Sequence, residues 1–457
     1  MRNYPISLSR RKFIQRVAAV AVTTPFIIRC STKIRSAGIL NHACIGVGGM
    51  GWSDLLKFKE DPNVQIVALC DVDEDRLKKA SEALPDARTY TDWREMFKME
   101  SDNIDSVNVS VPDHNHFPIS FQAIRKRKHV YCQKPMCHDV NEVRLLTETS
   151  VKSGVITQLG TQSASNIGSQ IAVQLIKDAA IGKIKHVYLC SNREDAINYR
   201  LKGPRPLQVQ KEPANLNWDL WLGTAPMRPY APEIYHPMKW RTWLDFGTGW
   251  SGDMGCHIFD AVWKGLRLKP PISVIAEVQK SWQESPERQS DTWPQGNHIT
   301  WVFPGNDLSD SNVIPIEWFD GEFFPPQDVQ DLYVGKEYPL QSAMLIGTEG
   351  ALLIPHSAVD LPVLLPEYKF LNYKTPLFGA GNHYHSFVVA CLGGPKTESH
   401  FAQSGPMTEA ILLGTVAIRN PDILLEWDTE KMKFPNYPDA NKYLHRKYRK
   451  GWKVGGF

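Results

Sequence analysis

Between residue 38 and about residue 160, short apolar runs alternate with stretches whose apolar positions recur at helical spacing. Strands are predicted at Ala43–Ile45, Val64–Cys70, Ile104–Val111, His129–Cys132 and Val155–Leu159. Helices are predicted over about Pro118–Lys126 and over Val140–Ser153. That alternation is the mark of parallel βαβ units. Beyond about residue 163 the texture changes. His186–Ser191, Ile272–Val278, Asn297–Val302, Ile314–Phe319 and Ala351–Ile354 are short, aromatic and β-branched. Turn signals such as Pro304-Gly305-Asn306, Asp320-Gly321 and Glu349-Gly350 separate them. They predict a large, mostly antiparallel sheet with a few helices, Pro406–Ile418 among them. The expected organisation is α/β in residues 36–162 followed by an α+β domain in residues 163–457.

Three predicted strand ends carry polar residues: Asp71, the run Asp113 to His116, and Gln133-Lys134. In an open α/β sheet, ligands bind outside those carboxyl ends. The first strand runs into Gly46-Val47-Gly48-Gly49-Met50-Gly51, a G-x-G-x-x-G turn. In a Rossmann unit the first glycine makes the tight turn, the second admits a pyrophosphate and the third lets helix pack on strand. Asp71 ends the second strand 20 residues past Gly51, where a carboxylate takes ribose hydroxyls. An acid there with no adjacent arginine favours NAD. The expected cofactor wall is Gly46, Gly48, Gly49, Met50, Gly51, Asp71, Pro112, Asp113, His114, His116, Gln133 and Lys134.

Charge separates the front end from the rest. Residues 1–35 contain eight Lys or Arg and no Asp or Glu, so without them the formal charge of +3 becomes −5. The remainder has no charge-based claim on nucleic acid. Ser9-Arg10-Arg11-Lys12-Phe13 precedes a short apolar stretch, Val17–Ile28, too short to span a bilayer. It reads as a twin-arginine export signal, giving an expected periplasmic location. Cys30 stands loosely like a lipoprotein cleavage site, but Arg29 before it fits poorly. The seven further cysteines, several within apolar runs, read as buried free thiols. Neither cysteines nor histidines show a metal-binding spacing. The basic run Lys442–Lys453 reads as a solvated tail.

With Asp253-x-x-x-His257-x-x-Asp260 added to these motifs, the chain resembles the glucose–fructose oxidoreductase/inositol dehydrogenase (Gfo/Idh/MocA) family. Asn382-His383-Tyr384 and Gly347-Thr348-Glu349-Gly350 resemble it less distinctly. One departure is Gln133-Lys134-Pro135, where the family commonly has Glu-Lys-Pro. The resemblance implies a Rossmann domain with a sheet-based second domain, a nicotinamide cofactor, and Lys134, Asp253 and His257 as the catalytic set; a homo-oligomer (dimer or tetramer) is expected because an open sheet of that size needs one face covered.

The residue types suit that chemistry. Moving a hydride from a carbinol needs a group that exchanges the hydroxyl proton and a cation for the developing alkoxide. Lys134 can supply the cation. Asp253 and His257, four residues apart, share one helix face, and a histidine suits base work near neutrality. Each feature alone is ordinary surface chemistry; beside a dinucleotide fingerprint they gain a role. Trp250, Arg241 and His383 are candidate sugar contacts, since aromatic faces stack on sugar C–H surfaces while charged groups hold hydroxyls. Trp218, Trp221, Trp240 and Trp243 read as core. The expected activity is NAD-dependent oxidation or reduction of a sugar, glycoside or polyol with the cofactor held tightly. The rivals are a glycosidase or lyase that oxidises its sugar transiently, and a non-catalytic sugar sensor.

Overall fold

A computed structural model describes residues 38–193, 203–205, 209–357 and 359–454. The predicted export signal and Cys30 lie outside the described residues. Six parallel strands form the first sheet: β1 (Leu40–Ile45), β2 (Val64–Cys70), β3 (Arg88–Tyr90), β4 (Ser106–Val109), β5 (His129–Cys132) and β6 (Thr157–Leu159). Their order is β3-β2-β1-β4-β5-β6, so the chain reverses direction across the sheet between β1 and β4. That switch point opens a crevice at the strand ends. Helix Val140–Ser153 begins at Asp139, whose carboxylate accepts the Glu142 N–H (2.9 Å), and stops at left-handed Gly154. Both ends follow ordinary capping chemistry.

The second sheet has eight strands in the order β13-β12-β11-β7-β10-β9-β8-β14. They are β7 (Ile184–Ser191), β8 (Ser273–Val278), β9 (Asn297–Pro304), β10 (Val313–Asp320), β11 (Gln341–Gly347), β12 (Ala351–Pro355), β13 (Val363–Leu365) and β14 (Leu425–Glu426). Only the β7–β10 pair is parallel. β9 alternates strictly: Asn297, Ile299, Trp301 and Phe303 point into the core, and His298, Thr300, Val302 and Pro304 out. Helix Phe401–Ile418 lies on the inner face, where Trp301 Nε1 donates to the Ala410 carbonyl (2.9 Å). It starts five residues before the expected Pro406, which sits in its second turn.

One core cluster runs through both sheets, with smaller clusters on the far face of the first sheet, around the tryptophan-rich segment and on the outer face of the second. Helix Phe401–Ile418 also packs on Val140–Ser153, fastened by a bidentate pair from Arg144 to Glu409 (2.7 and 2.9 Å). The basic run near the end is not a solvated tail. Arg446 is half-buried, donating to Glu142 (2.7 Å) and to the His114 carbonyl (2.5 Å), while Tyr448 also donates to Glu142 (2.5 Å). Lysines fit the surface reading; arginine forks found carboxylates. The seven described cysteines are all buried free thiols.

Candidate active site

Two cavities meet at the switch point. The first runs over the carboxyl ends of β1, β2, β4 and β5, lined by Gly46, Gly48, Gly49, Met50, Asp71, Pro112, Asp113, Gln133 and Lys134. Gly46 sits at φ +81°, and a side chain there would run into the Ser110 carbonyl. Gly51 packs directly on the Gly46 carbonyl and stays out of the cleft. Helix Met50–Lys59 begins at Gly49 with no side-chain cap, leaving its positive end facing the cavity. Asp71 accepts the backbone N–H groups of Val47 (2.8 Å) and Asp73 (3.0 Å), which aim its carboxylate at the cleft. An uncapped helix start, a side-chain-free turn and a directed carboxylate fit a dinucleotide.

The expected histidines are not on this wall. His114 and His116 turn inward: His114 Nε2 meets the Trp221 carbonyl (3.1 Å), and the ring nitrogens of His116 meet the carbonyls of Pro135 (2.6 Å) and Val111 (2.7 Å). Asn115 takes their place in the lining. The opposite wall comes from a segment the sequence marked only as tryptophan-rich. Leu220, Trp221, His236, Pro237, Met238 and Trp240 cover the cleft from the second domain, and Arg76 crosses its mouth over Gly48. This strap is tied to the end of β2. The Glu74 N–H donates to the Asn215 carbonyl (2.7 Å), the Asn217 N–H to the Val72 carbonyl (2.9 Å), and His236 Nε2 pairs with Asp73 (3.0 Å).

The second cavity continues from the first through Lys134, Arg241 and Met238, and is lined by Trp250, Asp253, His257, Trp293 and His356. Helix Gly249–Ile258 presents Asp253 and His257 to it. Asp113, reaching from β4, holds the start of that helix by accepting the Thr248 N–H (3.2 Å) and hydroxyl (3.1 Å). Lys134 Nζ donates to Asp253 Oδ1 (2.9 Å), and Arg241 Nε donates to the same oxygen (3.1 Å) with its guanidinium over Trp240. Burial opposes ionisation of Asp253, but the two cations hold its carboxyl well below the usual range. Burial pushes Asp113 the other way, up to about 7. His257 is driven well below an ordinary histidine, by burial first and then by Lys134. Trp250 and Trp293 donate to the carbonyls of Ser191 and Gly247 (2.8 Å each), so their ring orientations are fixed.

Lys134, Asp253, His257, Arg241 and Trp250 therefore converge, as their types suggested. His383 does not join them. It is buried under β6 with Nδ1 on Ser165 (2.9 Å) and Nε2 on the Leu159 carbonyl (3.0 Å). Gln133 explains its departure from Glu: its amide donates to both oxygens of buried Asp54 (2.9 Å), which also accepts from Ser110 (2.6 Å) and Tyr384 (2.8 Å). Asn115, Trp293 and His356 were missed, and no spacing in the sequence announces them.

Family models match two stretches: an oxidoreductase family's NAD-binding Rossmann fold over residues 40–161, and its C-terminal alpha/beta domain over residues 173–295. A myo-inositol 2-dehydrogenase of Thermotoga maritima is 26% identical over 186 residues, 41% of this chain and 53% of that protein. A glycosyl hydrolase family 109 protein of Saccharopolyspora erythraea is 34% identical over 116 residues, 24% of this chain and 25% of that protein. The match thus spans about half of the first relative and a quarter of the second. Among solved structures, the WlbA dehydrogenase of Chromobacterium violaceum in complex with NADH and UDP-GlcNAcA has a TM-score of 0.60 at 13% identity. The alignment covers 86% of this chain and 97% of that one, a likeness of fold.

Proposed function

The chain belongs to the Gfo/Idh/MocA oxidoreductase family and carries its NAD-binding Rossmann domain, and from that premise we propose that it transfers hydride between NAD and a carbinol of a sugar, glycoside or polyol. The observation that carries this reading is the junction of the two cavities at Lys134 and Arg241, with Asp253 and His257 facing the second. Glycine loop, helix start and Asp71 hold the dinucleotide. When bound, its nicotinamide supplies a two-electron acceptor, and the remaining work falls to the chain. Trp250 and Trp293 offer flat apolar faces to a pyranose, and Arg241 and Asp253 hold its hydroxyls. Lys134 offsets the charge that builds on the carbinol oxygen. His257, kept neutral by burial, accepts the hydroxyl proton.

The strap supports a retained cofactor. A nucleotide under Trp221 and Trp240 leaves only after the contacts to Val72–Glu74 open, which favours a slow off-rate. A retained cofactor must be recycled in place, by a second substrate or by returning the hydride to the same sugar. The second route is transient oxidation, elimination and re-reduction, and similarity to a glycosyl hydrolase family 109 protein supports it as the alternative. Retention also suits the export read in residues 1–35, since little free NAD is met outside the cytoplasm. Incubation with a panel of glycosides and polyols, read by mass spectrometry, tests the reading. Keto products lighter by one pair of hydrogens support net oxidation, free reducing sugars support cleavage, and neither across the panel contradicts both.

A further inference from the structure

The substrate pocket contains a second imidazole. His356 follows directly on β12, and its backbone N–H donates to the Gln341 carbonyl (2.9 Å). Its ring lies beside that of His257, with centroids 5.1 Å apart and planes at 37°. On one side His356 lines the substrate pocket. On the other it lines an open groove bounded by Leu340, Gln341, Pro355 and Asp360. Among the described residues that wall the inner pocket, only His356 and Arg193 also reach this groove.

His257 needs such a neighbour. Its Nδ1 is buried and meets no hydrogen-bond partner among the described residues. A histidine that accepts a proton on one nitrogen ordinarily offers the other to a carboxylate or carbonyl, which steadies the imidazolium. Here the charged groups around the ring are Lys134 and Asp253, with His356 and His383 nearby, and Asp253 is already shared by Lys134 and Arg241. A proton taken up by His257 is thus poorly held and has to move on. The mouths of both cavities are where nucleotide and substrate sit, which leaves the side toward His356.

We propose that His356 relays protons between His257 and the outer groove during each hydride transfer. The proposal rests on the reading of the pocket as a carbinol-oxidising site. For each carbinol oxidised, the O–H bond breaks and its electron pair becomes the second carbonyl bond. The hydride leaves carbon for the nicotinamide of NAD. The proton passes to His257, then through one water to His356, and from there to solvent in the groove. Re-reduction runs the same path inward. Burial, with Lys134 and Arg193 adding to it, lowers His356 to about 4, so it passes protons on rather than storing them.

The test is a single turnover of protein-bound NAD with whichever panel sugar gives a keto product. Reduced-nicotinamide absorbance and a pH-indicator dye are followed together in weak buffer. In the wild type, proton release is expected to keep pace with hydride transfer. In His356→Gln and His356→Asn, proton release should slow at least about tenfold, and added imidazole should restore it, a rescue that a purely structural role would not show. Proton release that keeps pace in a folded variant, or a deficit imidazole leaves unchanged, overturns the relay. A wild type that reduces no cofactor with any sugar overturns the underlying reading and the relay with it.

Discussion

Gln133 donates to a buried carboxylate, Asp54. Asp54 lies beneath the glycine loop with Gln133, Ser110 and Tyr384 as donors, and burial raises its pKa despite them. Gln133→Glu would set two carboxylates against each other away from water, at a cost of about 3 kcal/mol or more. A drop in melting temperature that Asp54→Asn largely restores is the expected result; an unaffected single variant contradicts it. At the same site, Lys134→Ala and His257→Ala are each expected to cut turnover at least about a hundredfold while bound nucleotide changes little. Near-normal turnover in both would remove them from the chemistry. Because burial, and then Lys134, keep His257 neutral, its folded pKa lies below that of a free histidine. Its base form then persists as pH falls through about 6.5, so the acid limb of kcat/KM should lie lower. A limb near 6.5 that His257→Asn abolishes would contradict this. Residues in motifs were legible: Asp71, Lys134, Asp253 and His257 stand at strand ends or share one helix face. His114, His116 and His383 misled because a histidine's type is the same whether it faces a ligand or a buried carbonyl. His356 and Trp293 reach the pocket only through tertiary folding, which no local spacing records.

In the proposed function, the strap governs whether the nucleotide can leave. Asn215 Nδ2 donates to Asp73 (3.1 Å), and His236 pairs with the other oxygen of the same carboxylate. Asn215→Ala with His236→Ala should therefore loosen the cover without touching the glycine loop, raising the nucleotide off-rate about tenfold or more. An unchanged off-rate would mean that the strap does not retain the cofactor. Elements with clean caps or strict alternation were readable in the sequence: helix Val140–Ser153 from Asp139 and Gly154, β9 from its period of two. β11 was not, because Ser342-Ala343-Met344-Leu345 is buried on both faces and has no alternation to betray it. β3, three residues long, was too short to leave a pattern. The strap was invisible as a cover because its tryptophans serve both a core cluster and the cleft wall.

At the scale of the whole molecule, two sheets and the core cluster they share set the cofactor cleft against the substrate pocket; Val329 and Tyr338 cover the outer face of the larger sheet over β7, β11 and β12, and its β9–β10 part is left over. It carries Thr300, Val302 and Pro315 around Glu317, which joins His186 (2.6 Å) and His298 (2.5 Å). A sheet of that size is expected to cover this face with a second copy. Light scattering at micromolar concentration should therefore give a dimer or tetramer, and a monomer would count against it. The central claim, a family oxidoreductase that keeps and recycles its cofactor in place, has one direct measurement. Protein purified without added nucleotide is denatured, and the released NAD and NADH are quantified. The account predicts near-stoichiometric release. Essentially none, together with added NAD that exchanges freely and supports multiple turnovers, would contradict it and leave an ordinary dissociable dehydrogenase.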